Sequence, residues 1–180
     1  MDLNDYVMKA KSLYWMIRTA LIRSGGGRAR YPRDHGIYAH VGNNVSIQSR
    51  FIPLYSELIS FGNNVAIARN VVFVTHDITH AVLNKLPEEE RLLFTFKERI
   101  GCIEIGDNVF IGSNSIILYD TRIGPNVIIG SGSVVTKDCE PNSVYAGVPV
   151  KKLGSFKDFI KRRAEKEASC GISTTSIISK

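Results

Sequence analysis

Aliphatic residues recur every six positions along the second half of the chain: Ile105, Ile111, Ile117, Ile123, Ile129 and Val135. Four of them are followed directly by glycine, and the position four places on is small or branched (Val109, Ser115, Thr121, Val127, Ser133, Cys139). A helix repeats near 3.6 residues and a strand at 2, so neither alone makes a strict six-residue unit. Short strands joined by tight turns do. Gly106-Asp107-Asn108, Gly124-Pro125-Asn126 and Gly130-Ser131-Gly132 supply residue types that tolerate turn and left-handed backbone. The pattern predicts an all-β solenoid whose inward corner residues precede each turn, and whose units bury a core only by stacking.

The same grammar appears earlier, with interruptions. Val41 leads to Ile47 and Pro53, and Phe61 leads to Ile67 and Phe73, so twelve corners at three per turn predict about four coils. Residues 53 to 60 run two longer than a hexad, and a larger excursion from about Asp77 to Cys102 separates Phe73 from Ile105. The leucines and phenylalanines of that excursion predict an ordered loop that packs against something, and a loop of this length in a compact domain is usually functional or disordered.

The flanks read as helices. Leu3, Val7, Ala10, Leu13, Tyr14, Ile17 and Leu21 lie three or four apart, which predicts an amphipathic helix over the first two dozen residues. It should end before Ser24-Gly25-Gly26-Gly27. Its expected role is to cap the open end of the solenoid; a basic contact with a membrane surface is the second reading. Ser155 and Asp158 form a capping-box-like start for a helix through about Ala168, and the Ser/Thr-rich residues from Ser169 onward should fray. The organisation is therefore residues 1–35 as N-terminal helix and basic linker, 36–153 as the solenoid with 77–102 inserted, and 154–180 as C-terminal helix and tail.

With 180 residues, 44% hydrophobic and 22% charged, one domain with a substantial core is expected. Cys102, Cys139 and Cys170 show no metal spacing, and with no signal peptide in view they suit the reducing cytoplasm. The net charge of +6 sits at the ends: residues 1–35 carry seven basic against three acidic side chains, and residues 151–180 carry eight against three. No nucleic-acid recognition motif accompanies it. A phosphate-rich small cofactor suits the C-terminal half better.

The repeat, Val74-Thr75-His76-Asp77 before the long excursion, and Ile129 to Asp138 followed by Ala146-Gly147-Val148-Pro149-Val150-Lys151 resemble the hexapeptide-repeat acyltransferases. Within them the chain is most similar to the O-acetyltransferase branch of galactoside, maltose, virginiamycin, capsule and nodulation acetyltransferases. The resemblance covers about residues 38–153. It implies a left-handed parallel β-helix, a hand that periodicity alone does not give, a homotrimer, and acetyl-CoA as co-substrate.

Acyl transfer from a thioester to a hydroxyl needs a base, a place for the oxyanion and a grip on both substrates. His76 is the candidate base: imidazole titrates near working pH, and the resemblance puts the catalytic histidine just before the long loop. His80 is a second candidate for substrate contact. Asp77 is a poor orienting partner because neighbours in an extended segment point to opposite faces. Glu57 lies close to where the family places a substrate-contacting acid. The resemblance further implies that Ser113 sits beside the thioester, Ser131 lets the pantetheine arm lie along the coil, Thr136 and Lys137 contact the cofactor, and Lys151 approaches the nucleotide phosphates. Relatives often carry a second basic residue three places on; here that position is Gly154, and Lys152 is the imperfect substitute. No metal is expected, since a β-helix zinc site of the carbonic anhydrase type needs three histidine ligands, and only His76 and His80 lie in or beside the repeats. The reading that follows is an O-acetyltransferase acting on a sugar or surface-glycan hydroxyl, by direct transfer without an acyl-enzyme. Serine O-acetylation, N-acetylation of an amino sugar and a non-catalytic trimeric scaffold are the alternatives.

Overall fold

In the computed structural model, which describes residues 13–169, every hexad but the one ending at Pro53 gives one short strand to one of three parallel sheets. The first sheet stacks β1 (His40–Val41), β3 (Ile59–Phe61), β8 (Ile103–Ile105) and β11 (Thr121–Ile123). The second stacks β2 (Val45–Ile47), β4 (Val65–Ile67), β9 (Val109–Ile111), β12 (Val127–Ile129) and β14 (Ser143–Ala146), with β15 (Lys151–Ser155) antiparallel at its end. The third stacks β5 (Val72–Val74), β10 (Ile116–Leu118) and β13 (Val134–Val135).

The registers put the corner residues in columns. Val41, Phe61, Ile105 and Ile123 pair in the first sheet, Ile47, Ile67, Ile111 and Ile129 in the second, and Phe73, Ile117 and Val135 in the third. Every one of these is at most 5% exposed. The positions four residues on are buried with them: Val109, Ser115, Thr121, Val127, Ser133 and Cys139. The core is therefore one continuous stack down the middle of the coil.

What lets the chain turn at most corners is a left-handed residue. Between the first and second sheets Asn44, Asn64, Asn108, Asn126 and Asn142 all have φ between 53° and 57°. Asparagine is one of the few residues besides glycine that visits this region routinely. Their side-chain amides bond one to the next at 2.8–2.9 Å, from Asn44 to Asn64, Asn108, Asn126 and Asn142. The two extra residues between Pro53 and Phe61 are taken up by Tyr55, at φ 54°, and a 3₁₀ turn over Ser56–Leu58.

The large excursion is inserted into a corner. The Gly101 N–H donates to Thr75 O at 2.9 Å, closing the turn as though residues 76–100 were absent. At its neck β6 (His76–Asp77) pairs antiparallel with β7 (Arg99–Ile100). Inside the loop, the Asn84 side chain accepts from Phe96 N and donates to Phe96 O, while Leu92, Leu93 and Phe94 are 87%, 80% and 60% exposed.

The N-terminal flank departs from expectation. Residues 13–21 are helical (α1), and the part of the expected helix before residue 13 lies outside the described residues. Its stripe of Leu13, Tyr14, Ile17 and Leu21 is exposed rather than capping the solenoid. The basic linker is a helix instead, α2 (Gly25–Asp34), and it is α2 that packs on β2 and β1 and buries Ala29 against the core. Two things offset the poor helix propensity of Ser24-Gly25-Gly26-Gly27. Ser24 caps the helix by accepting from Gly27 N at 3.0 Å, and Gly25 lies so close to β2 that a Cβ there would require the Ser46 hydroxyl to shift. The short α3 (His80–Leu83) lies in the loop. At the C-terminus α4 (Phe156–Ser169) starts as expected, with the Ser155 hydroxyl accepting from Asp158 N at 3.0 Å and donating to its carboxylate at 2.7 Å. Ser169 belongs to the helix; the tail from 170 lies outside the described residues.

The ladder makes a stability prediction. Asn108→Ala loses two side-chain bonds and places an ordinary residue at φ 56°, together about 2–3 kcal/mol. Asn108→Gly restores the backbone but not the bonds, so denaturation midpoints should rank wild type above glycine above alanine. Equal midpoints for the two variants would show that φ carries no cost there.

Candidate functional site

The candidate residues occupy two neighbouring edges of the coil. Along the edge between the second and third sheets, Asn114 N–H donates to Arg69 O at 3.0 Å and Gly132 N–H to Ser113 O at 2.8 Å. Arg69-Asn70, Ser113-Asn114 and Ser131-Gly132 thus stand on successive rungs. Gly112 permits this stacking, since a Cβ there would meet Ser131 N at 2.4 Å. On the next rung Val134 N–H donates to Gly147 O at 3.0 Å, and Lys151 pairs with Ala146 across β14 and β15. Ser113, Ser131 and Lys151 therefore line one edge; Ser113 is half-buried and the other two are exposed.

His76 is on the edge between the third and first sheets, in the neck of the insertion. His76 is half-buried, and its ring meets that of Tyr55 edge to face with centroids 5.4 Å apart. Among the described residues nothing hydrogen-bonds its buried Nδ1. The Nδ1 of His80 is likewise buried without a partner among them. Glu57 is exposed on the 3₁₀ turn that follows Tyr55.

Asp77 does not orient His76. Its carboxylate accepts from the Thr79 hydroxyl at 2.6 Å, from Thr79 N–H at 3.0 Å, and from the Tyr119 hydroxyl at 2.6 Å. These bonds, the Thr79 hydroxyl first, hold its pKa down at about 2. Arg99 stacks over the Tyr119 ring at 5.4 Å and pairs with Asp120 at 3.0 Å, contacts that hold the guanidinium firmly charged. A network running Thr79, Asp77, Tyr119, Arg99, Asp120 therefore ties the neck of the insertion to the next rung. Sequence reading missed Tyr119 and Asp120. The signal was in the period: they follow corner Ile117 by two and three, as Thr75 and His76 follow Phe73.

Thr136 and Lys137 share this second edge. With Arg99, Tyr119 and Asp120 they line an open cleft of about 650 Å³. One strand, β13, separates them from Ser131, so the residues that the sequence grouped as one cofactor set lie on two edges. Lys152 is already engaged, 2.9 Å from the Glu140 carboxylate. Among the described residues no group of three His, Cys, Asp or Glu side chains could hold a metal ion, and no helix is long and apolar enough to cross a membrane. Cys102 and Cys139 are unbridged; burial pushes the Cys139 thiol up to about 11.

Known proteins resemble this chain in sequence and fold. Residues 102–137 match the family described as bacterial transferase hexapeptide (six repeats). The galactoside O-acetyltransferase of Escherichia coli is 37% identical over 126 residues, which is 69% of this chain and 58% of that protein. Protein CapG of Staphylococcus aureus is 46% identical over 103 residues, 57% of this chain and 55% of that protein. The chain thus spans little more than half the length of these curated relatives. A galactoside acetyltransferase structure in complex with coenzyme A superposes with a TM-score of 0.64 at 25% identity, covering 89% of this chain and 86% of that one.

The Asp77 network predicts a titration. Its depressed pKa contributes stability that is present above the unfolded value near 3.9 and is lost as pH falls toward 2. Tyr119→Phe removes one of the three donors, so the Asp77 pKa should move part of the way back up. Carboxyl carbon shifts followed against pH would read this; an unmoved midpoint would remove Tyr119 from the network.

Proposed function

We propose that this chain, which belongs to the hexapeptide-repeat acyltransferases, transfers acetyl from acetyl-CoA to a hydroxyl of a sugar or surface-glycan acceptor. The observation that carries the reading is the column of Ser113, Ser131, Gly147 and Lys151 along one edge, beside an edge that offers an imidazole at the neck of the insertion. The coenzyme A complex of the galactoside acetyltransferase supports the same co-substrate here.

Acetyl-CoA supplies an activated acyl group, and the chain supplies position and proton transfer. Lys151 offers positive charge to the nucleotide phosphates. The small residues at Ser131 and Gly147 leave the edge flat enough for an extended pantetheine arm. Ser113 is the donor for the oxyanion, a role that requires a hydrogen bond preset about 3 Å from that oxygen. His76 Nε2 takes the acceptor's hydroxyl proton as the oxygen attacks the thioester carbonyl carbon. The carbon–sulfur bond then breaks, and the proton passes to the departing thiolate. Thr136 and Lys137 complete the cofactor grip from the second edge, and Glu57, on the turn beside Tyr55, contacts the acceptor. The left hand of the coil follows from the family, and the cytoplasm is where its co-substrate and free thiols are at home.

The two edges argue for a homotrimer. In one chain they are separated by a three-residue strand, about 10 Å, whereas reacting atoms must meet within about 3.5 Å. A convex prism offers no deep pocket, but the groove between two prisms does. A threefold assembly sets the His76 edge of one copy against the Ser113 edge of the next, and the exposed Leu92, Leu93 and Phe94 give the loop an apolar surface for a neighbour.

Three measurements test this. His76→Ala should lower acetyl transfer by about 10²–10⁴-fold without changing the fold; near-wild-type turnover would sink the assignment. Coenzyme A should raise the melting temperature, and Lys151→Glu should weaken binding in a salt-dependent way; no shift at saturating coenzyme A would leave a scaffold. Light scattering should give a trimer, and a fully active monomer would refute the shared site.

A further inference from the structure

A second cationic cluster lies on the Ser113 edge, at the end away from Lys151. Arg23, Arg28, Arg50 and Arg69 surround an open cavity of about 640 Å³ together with Gln48 and Asn70. No acidic side chain lines it, and among the described residues none of the four arginines pairs with a carboxylate. Arg28 is built in. It is 5% exposed, its Nε donates to Ile47 O at 2.7 Å, and its Nη1 donates to Ile22 O and, at 2.9 Å, to Arg23 O. Arg50 is held in place by Ala20 O at 2.9 Å. Arg69 is exposed, and no described group bonds its guanidinium.

Four like charges around one cavity repel one another. The strain shows at Arg28, whose pKa is lowered first by burial and then by the positive charges of Arg50 and Arg69. The N-terminus of α2 adds to the same field. Gly25 lines the cavity, so the positive end of a ten-residue helix points to it as well. An anion entering the cavity would relieve this repulsion and take charge-assisted bonds from Arg50 and Arg69.

Position decides which anion. Arg69 accepts from Asn114 N–H through its carbonyl, and the Asn70 and Asn114 side chains bond at 3.2 Å, so the cavity adjoins the Ser113 rung directly. If the thioester lies at Ser113 and the cofactor runs past Ser131 to Lys151, its phosphates lie at the far end. The cavity is then on the acceptor's side of the reacting carbon. We infer that the acceptor carries an anionic group, a carboxylate or a phosphate, which the Arg23-Arg28-Arg50-Arg69 cavity binds while the hydroxyl is acetylated. This deepens the acetyltransferase reading and rests on it.

The test uses two acceptor pairs that differ only in charge: a uronic-acid oligosaccharide with its carboxyl-reduced counterpart, and a sugar phosphate with its dephosphorylated sugar. Transfer is followed as kcat/KM, and binding by calorimetry with coenzyme A present. The anionic member of one pair should be preferred by at least about tenfold, the worth of one charge-assisted bond, and added salt should erode the preference. The preferred pair identifies carboxylate or phosphate. Arg69→Ser should abolish most of the preference and Arg69→Lys should keep much of it, while Arg50→Gln gives a second exposed site should either fold poorly. Transfer that ignores charge in both pairs overturns the anion site and leaves the acetyltransferase standing. Charge-dependent binding with no transfer keeps the anion site and removes the acetyltransferase. Neither binding nor transfer removes both. An Arg69→Ser protein that changes oligomeric mass yet keeps its acid preference also overturns the inference, because the arginines would then hold a second copy, for which the Glu88-Glu89-Glu90 segment has the complementary charge.

Discussion

The structure depends on turning a corner every six residues without losing register. Most turns use a residue with positive φ, where an ordinary side chain costs roughly 1–2 kcal/mol. The chain meets this with asparagine at Asn44, Asn64, Asn108, Asn126 and Asn142, whose amides then bond rung to rung. The same device recurs on the Ser113 edge, where Asn70 and Asn114 sit at φ 59° and 60° and Gly132 at 69°. Because the corners hold the rungs in register, the faces need only short strands, and the interior needs only aliphatics of about the right size. Residues with chemistry to perform are displaced to the edges, where side chains reach solvent without disturbing the stack.

The corner rule explains what the sequence showed and what it concealed. Period six names the buried corner residues because one face of each turn must point inward, and those residues pair in the observed columns. It also implies that residues six apart lie on different edges. Ser131 and Lys137 therefore separate, and Tyr119 with Asp120 joins the corner from which His76 departs. What period could not reveal was tertiary override. Ser24-Gly25-Gly26-Gly27 reads as a breaker by propensity, yet the Ser24 cap and the packing of α2 on β2 and β1 hold it helical. Likewise the stripe from Leu13 to Leu21 has helical spacing, but spacing says only that a face is apolar, not what covers it. The left-handed Tyr55 was hidden for a different reason. Nothing in a tyrosine announces positive φ, and only the two-residue excess before Phe61 marked the place.

The insertion shows how such a scaffold gains a reactive group. Phe61 pairs with Ile105 in unbroken register although a 25-residue segment, 76–100, lies between the strands that flank it. Closing a longer loop adds only about 0.6 kcal/mol per doubling of its length, so a corner tolerates the detour while the faces stay paired. The detour's neck is then the one part of the rung that is not forced into the repeat. His76 occupies it, with its antiparallel partner Ile100 and the Asp77–Tyr119 bond holding the neck to the next rung. In the neck His76 is anchored by its backbone pairing with Ile100, and the residue stays half-buried.

Charge along the Ser113 edge follows the same division of labour. Lys151 stands at one end, four arginines stand at the other, and the rungs between them carry neutral serine, asparagine and glycine. A uniform basic edge would hold a phosphorylated cofactor in many registers. Cations confined to the ends, with uncharged hydrogen-bonding groups between, would select one: in the proposed reading, phosphates at Lys151 place an uncharged arm over Ser131 and the thioester at Ser113. In the proposed assembly the His76 edge of a neighbour closes over that middle stretch, where no fixed charge competes for the developing oxyanion. Screening in water weakens fields beyond about 8–10 Å, so in the proposed reading the end charges orient the substrates while the Ser113 donor, a hydrogen bond away, acts on the developing oxyanion.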